Sequence, residues 1–181
     1  MNKNLSTVLR WARAYLPVLL LLHMLPGCAG TMPTSGYKGN KIKPGYQIEI
    51  ELGEHTGFYR TNDLSVSYHY IKGADSLKIS GVVSFADGIQ FNFNVVDYFN
   101  LGLLLADSEN TILSSRNLVS ASWVNLTLDN QVHFSDSVRL PAHATRMAFT
   151  YTGQASEGGF RGWRRGGDGG DIQFWQHPVV R

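Results

Sequence analysis

The amino-acid sequence predicts an all-β fold, an antiparallel β-sandwich, and three observations carry that expectation. Apolar residues recur at every second position through most of the chain after Gly45, the period of a strand with one buried face. Turn residues separate these runs at short intervals, as they do between the strands of a sandwich. No segment of 10 or more residues carries the apolar stripe of an amphipathic helix. Composition lets such a fold rest on its core alone. Apolar residues make up 43% and aromatic residues 12%, while one cysteine among 181 residues excludes an internal disulfide.

Taken in order, Tyr46, Ile48, Ile50 and Leu52 alternate with Gln47, Glu49 and Glu51 and predict a half-buried strand. Leu64, Val66, Tyr68 and Tyr70 predict the next, after a turn at Asn62-Asp63. Leu77, Ile79, Val83 and Phe85 follow, with Gly81 at an inward position, where a missing side chain implies a bulge or the close passage of another segment. Asp87-Gly88 is a hairpin signal that leads into Ile89, Phe91, Phe93 and Val95. Phe99, Leu101, Leu103 and Leu105 form one face of a further strand, and Asn100, Gly102, Leu104 and Ala106 the other. Apolar character on both faces predicts a central strand covered on both sides or along its edges. Asp107-Ser108-Glu109-Asn110 is turn chemistry. Residues 111–118, 123–128, 132–140, 147–151 and 172–175 complete the strands, with 118–126 the least regular stretch. The predicted core between the two sheets contains Ile48, Ile50, Val66, Tyr68, Ile79, Phe93, Leu101, Leu103, Phe149 and Phe174.

The N-terminus follows a different logic. Lys3, Arg10 and Arg13 precede an apolar run of ten residues, Leu16 to Leu25, and no acidic residue accompanies them. A membrane-crossing helix needs roughly 20 apolar residues, so this run reads as an export leader. It ends in Leu25-Pro26-Gly27-Cys28, which holds the chain's lone cysteine. That tetrapeptide resembles the lipobox of bacterial lipoproteins, with Leu25 and Gly27 at the positions the signal peptidase reads; Pro26 departs from the pattern. The resemblance implies that residues 1–27 are a signal peptide and that the Cys28 thiol carries a diacylglycerol as the mature N-terminus. Ala29, where aspartate often marks inner-membrane retention, implies sorting to an outer membrane, with the domain facing the periplasm or the cell surface. Two other readings of the residues stand beside it. Gly27-Cys28-Ala29 also suits ordinary signal peptidase and a soluble exported product, and Cys28 could be an incidental thiol in a membrane-embedded N-terminus.

Residues 28–44, rich in Gly, Ser, Thr, Pro and Lys without an apolar period, read as a flexible tether. The sandwich is then expected over 45–178. Within it the rhythm of residues 77–83, 99–107, 139–141 and 147–153 resembles small immunoglobulin-like domains of bacterial envelope proteins, and a jelly-roll-like sandwich is the other subtype considered. Of the 16 Lys and Arg, three lie in the leader, so 13 face 14 Asp and Glu in the remainder and the formal charge of +2 becomes −1. The basic balance therefore does not point to nucleic acid.

Chemistry-bearing motifs are scarce. The chain contains no Gly-x-Ser-x-Gly elbow, no His-Glu-x-x-His, no phosphate loop and no cysteine pair. His55, His69, His133, His143 and His177 are scattered, and Glu49 and Glu51 read as a solvated strand face. No enzyme activity, metal or cofactor is expected. Residues 153–171 are the exception in texture, with eight glycines among 19 residues. Residues 166–171 resemble one copy of a calcium-binding β-roll repeat, but Gln173 stands where that repeat needs an apolar residue, and such rolls bind calcium between stacked copies. Phe160, Arg161, Trp163, Arg164 and Arg165 are the candidate partner-contact residues of this loop, since Trp and Arg are favoured anchors. The expected function is a lipid-anchored envelope lipoprotein presenting a non-enzymatic binding or scaffolding sandwich. Its partners would be the membrane, through the lipid, and an envelope protein or glycan. A glycan-binding module and a hydrolase with a site assembled by folding are the alternatives. Exposed aromatic rings would favour the glycan-binding module.

Overall fold

A computed structural model describes residues 36–128, 130–157 and 170–180, and among them the chain is an antiparallel β-sandwich. The strands are β1 (Lys41–Ile42), β2 (Ile48–Glu49), β3 (Gly53–Arg60), β4 (Leu64–Lys72), β5 (Ser76–Phe85), β6 (Val95–Ala106), β7 (Ile112–Asn125), β8 (Gln131–Arg139), β9 (Arg146–Ser156), β10 (Ile172–Gln176) and β11 (Val179–Val180). A short helix, α1 (Asp87–Asn92), lies between β5 and β6. One sheet has the order β3-β4-β5-β8. The other runs β10-β9-β6-β7, with β2 sharing the outer edge of β9 with β10. The chain thus makes a meander in one sheet, crosses through α1 to the β6–β7 hairpin, returns to β8 beside β5, and crosses again to β9 beside β6.

The core between the sheets follows the period of two. Leu64, Val66, Tyr68 and Tyr70 of β4, Leu77, Ile79, Val83 and Phe85 of β5, and Phe99, Leu101, Leu103 and Leu105 of β6 are all buried in it. Of the predicted core residues, Ile48 and Phe93 are partly buried against this cluster and the others are fully part of it. Gly81 has the close neighbour its position implied: a Cβ there would lie 2.7 Å from the Phe134 ring and would also strike the Ser67 carbonyl oxygen.

Apolar character on both faces of β6 is explained by a second, smaller cluster. Leu104, Ala106, Ile112 and Ala148 form it on the outside of the five-stranded sheet, with Ile42 of β1 laid over them. β1 pairs with β11, so the two ends of the described chain make a ribbon that covers half of this face. The folded part therefore begins before residue 45 and runs past 178. Ile42, placed in the tether by composition, is 1% exposed.

Four other expectations are corrected. The strand expected over 46–52 shrinks to β2, and Leu52 is 75% exposed. Its alternation is real but serves two surfaces: Tyr46 packs on the outer cluster, Ile48 and Ile50 on the core. Asp87-Gly88 opens α1 instead of a hairpin, and Phe91 is 83% exposed. The chain must leave its sheet here, and Ile89 anchors the crossing helix to the core. β3 was not expected, because its inward positions include Gly53 and Gly57; the Tyr68 ring lies over Gly57 and supplies the missing bulk. Gly153, assigned to the glycine-rich loop, sits in β9 under the Phe174 ring in the same way.

Candidate functional site

The outer face of the five-stranded sheet is built around irregularities in its central strand. Asp97 of β6 is an extra residue relative to β9, since Val96 pairs with Ala155 and Tyr98 with Gln154. Its Oδ1 accepts a hydrogen bond from Ser156 Oγ at 2.9 Å, which holds the bulge in place. The bulge resets the alternation. Val96 and Phe99 both enter the core, so Tyr98, Asn100 and Gly102 turn outward. On β7 Leu118 is an extra residue, because Leu101 pairs with Val119 and Gly102 with Asn117. Leu118 joins the core and Asn117 stays outside.

Between these bulges lies a groove of about 360 Å³. Its floor is Gly102 and Thr150, paired across β6 and β9. A Cβ on Gly102 would sit 2.8 Å from Thr150 Cγ2, so the depth of the groove depends on the absent side chain. Tyr98, 36% exposed, stands at the end along β6, and Tyr37 and His177 stand at the other.

Hydrogen bonds fix the lower end. Thr150 Oγ1 donates to the Gln176 carbonyl at 2.7 Å and lies 3.1 Å from His177 Nδ1. Tyr37 Oη lies 3.0 Å from the same nitrogen. With the threonine proton already used, an Nδ1–H shared between the two oxygens satisfies both contacts and leaves Nε2 as an acceptor. Partial burial lowers the His177 pKa, which keeps the imidazole neutral near pH 7. Along the β7 side, Ser120 Oγ lies 2.8 Å from the Asn117 amide and 2.6 Å from that of Asn100; with the Asn117 nitrogen turned to the Leu101 and Val119 carbonyls, the hydroxyl donates to Asn117 Oδ1 and accepts from the Asn100 amide. Among the described residues the Asn100 side chain meets Ser120 Oγ alone, so the rest of its amide is open to the groove. Arg116 directs its Nε to Asp136 Oδ2 on β8 at 3.0 Å, so the fixed charge of the lining is already paired.

Two other depressions exist. One of about 370 Å³ at the sheet edge holds Tyr46, Thr61, Asp63 and Trp175 and adjoins the groove through His177. Another of about 440 Å³ on the four-stranded sheet is larger but lacks an aromatic ring other than His69, and it lies over regular ladder. Volume alone does not select the site; the bulges and the glycine floor do.

The residues singled out from sequence lie elsewhere. Leu25, Gly27, Cys28, Phe160, Arg161, Trp163, Arg164 and Arg165 fall outside the described residues. Of the calcium-like hexapeptide, Gly170 and Asp171 are described, and Asp171 Oδ2 accepts from Gln154 Nε2 at 3.1 Å. His69 meets Glu54 at 2.8 Å, and His55 lies over Tyr70 with ring centroids 5.2 Å apart. His133 and His143 are exposed and stand apart from the groove. Glu49 is 4.0 Å from Arg146. Among the described residues no three His, Cys, Asp or Glu side chains converge on a metal position. Sequence reasoning missed Tyr98, Asn100, Gly102 and Tyr37 as one site. The signal was the polar, glycine-bearing first half of the second face of β6, ahead of its apolar second half.

Comparison with protein-family models, with curated proteins and with solved structures finds no match to this chain.

Proposed function

We propose that this protein is a lipid-anchored cell-envelope lipoprotein whose sandwich works by binding, with the outer groove of the five-stranded sheet as its contact surface. The carrying observation is the groove itself. A central strand that omits a side chain at Gly102 and breaks its ladder at Asp97 gives up packing that a purely structural sheet would keep. Its lining offers hydroxyls, amides, an imidazole and two phenol rings, groups suited to holding a ligand. The anchor rests on Leu25, Gly27 and Cys28 at the end of an apolar leader. Two acyl chains hold a protein on a membrane where a single one gives only marginal binding.

Both parts are open to test. In cells, the wild-type protein should fractionate with membranes at a mass that starts at Cys28 and includes acyl chains. Cys28→Ser should release the domain or leave the precursor uncut. An unmodified mature thiol would overturn the anchor. A photo-crosslinking side chain at Tyr98 should capture an envelope component, protein or glycan, well above the level at Ser67, an exposed position on the other sheet. Equal, background-level capture at both positions would overturn the groove as a contact surface.

A further inference from the structure

We propose that the groove is a site for a neutral saccharide, an inference that rests on the binding-domain reading and names its ligand class. A pyranose ring has an apolar C–H face and a rim of hydroxyls that both donate and accept. The groove matches both features. Tyr98 and Tyr37 present ring surface at its two ends, and ring faces suit flat, partly apolar ligands. Between them, the Asn100 amide spends one hydrogen-bonding position on Ser120 Oγ and keeps others for a ligand, and neutral His177 leaves Nε2 to accept. A donor and an acceptor spaced along one groove are what adjacent hydroxyls need.

Charge narrows the class. Among the described residues no carboxylate lines the groove, and the Arg116 guanidinium directs its Nε to Asp136. Among the described residues a phosphate, a uronic acid or an ammonium group would find no unpaired counter-charge there. Size agrees, since about 360 Å³ falls at the small end of ligand-site volumes, roughly 300–1,000 Å³. An extended peptide is the poorer fit. Peptides join sheets at open edges through backbone hydrogen bonds, whereas this groove lies on a face whose central strand β6 is paired on both sides.

The test uses the full-length protein in detergent with maltotriose, cellotriose and chitotriose, and trigalacturonic acid as the charged comparator. Ligand-observed NMR and calorimetry read binding. At least one neutral trisaccharide should bind, and more tightly than the acidic one. Tyr98→Ala and Asn100→Ala should each weaken it about tenfold or more with the circular dichroism spectrum unchanged. Gly102→Val should block it. Should that variant fail to fold, the two rim variants decide. No binding of any neutral trisaccharide, tighter binding of the acidic one, or binding indifferent to both rim variants would overturn the inference. Crosslinking separates the two levels. A polypeptide adduct at position 98 overturns the saccharide and leaves the binding-domain reading standing. No adduct above background overturns both.

Discussion

The two sheets meet their surroundings differently. On the four-stranded sheet, β4, β5 and β8 pair through nine consecutive residues on each side of β5 without a register shift. A row of serines, Ser65, Ser67, Ser80, Ser84, Ser135 and Ser137, runs through the outward face there. The five-stranded sheet breaks register at Leu101/Gly102 and Leu105/Ala106 against β7, and at Val96/Tyr98 against β9. Its outer face is packed under the β1–β11 ribbon in one half and hollowed into the groove in the other. An unbroken ladder suffices where only one face must be buried. Where a second face must also pack or bind, bulges re-aim side chains that strict alternation would send elsewhere.

The sharpest way to press this comparison is to perturb what both sheets share. Phe149 is fully buried and packs at a tilt against Tyr59 and Tyr68, with ring centroids 5.5 and 5.3 Å away. Phe149→Ala should cost about 3–5 kcal/mol, read as a lower urea midpoint. Ser67→Ala on the solvated face should stay within about 0.5 kcal/mol. If the two cost the same, the core is not where the alternation places it.

A smaller loss is expected where only the five-stranded sheet has a second layer. Ile42→Ala removes the residue that spans Leu104, Ala106 and Ala148. The cost should be about 2 kcal/mol, the low end for such truncations, because a two-residue ribbon can settle into the gap. Hydrogen exchange should quicken at Ile42 and Val179, which pair across the ribbon, and hold at Val66. Uniform quickening across both sheets would show that the ribbon is part of the main cooperative unit.

The same contrast governs what was legible in the sequence. β4, β5 and the core half of β6 could be read because their inward positions hold large apolar residues, with Gly81 the one gap in an otherwise regular row. β3 escaped because a neighbour's ring fills the space at Gly57, and that filling is recorded at Tyr68, 11 residues away. The ribbon escaped because two-residue strands leave no period to detect. Most of the groove escaped for a related reason: it assembles a few residues each from β6, β7 and β9 and one from either end of the described chain. Asn100 and Gly102, a polar residue and a glycine on the second face of an otherwise apolar strand, marked the place.

The smallest expected effect concerns the junction of ribbon and groove at His177. Among the described residues the groups that meet its ring are the Tyr37 hydroxyl and Thr150 Oγ1, and no carboxylate lines that side of the groove to stabilise a positive charge. Partial burial accordingly lowers the native pKa below the usual histidine value of about 6.5. Above that value the imidazole is neutral in both folded and unfolded chains, and its contribution to stability is complete. As the pH falls below it, the unfolded chain takes up the proton more readily than the folded one, so stability declines until the native ring is protonated as well. The exposed edge of the ring screens the effect, so the shift should be slight. It should show as a lower protection factor at Val179 at pH 5 than at pH 7.5, each taken against the intrinsic exchange rate at that pH, with His177→Gln losing that component while keeping whatever the carboxylates contribute. An identical pH response in both proteins would mean that the ring is already solvated in the folded chain and that Tyr37 and Thr150 hold the ribbon without it.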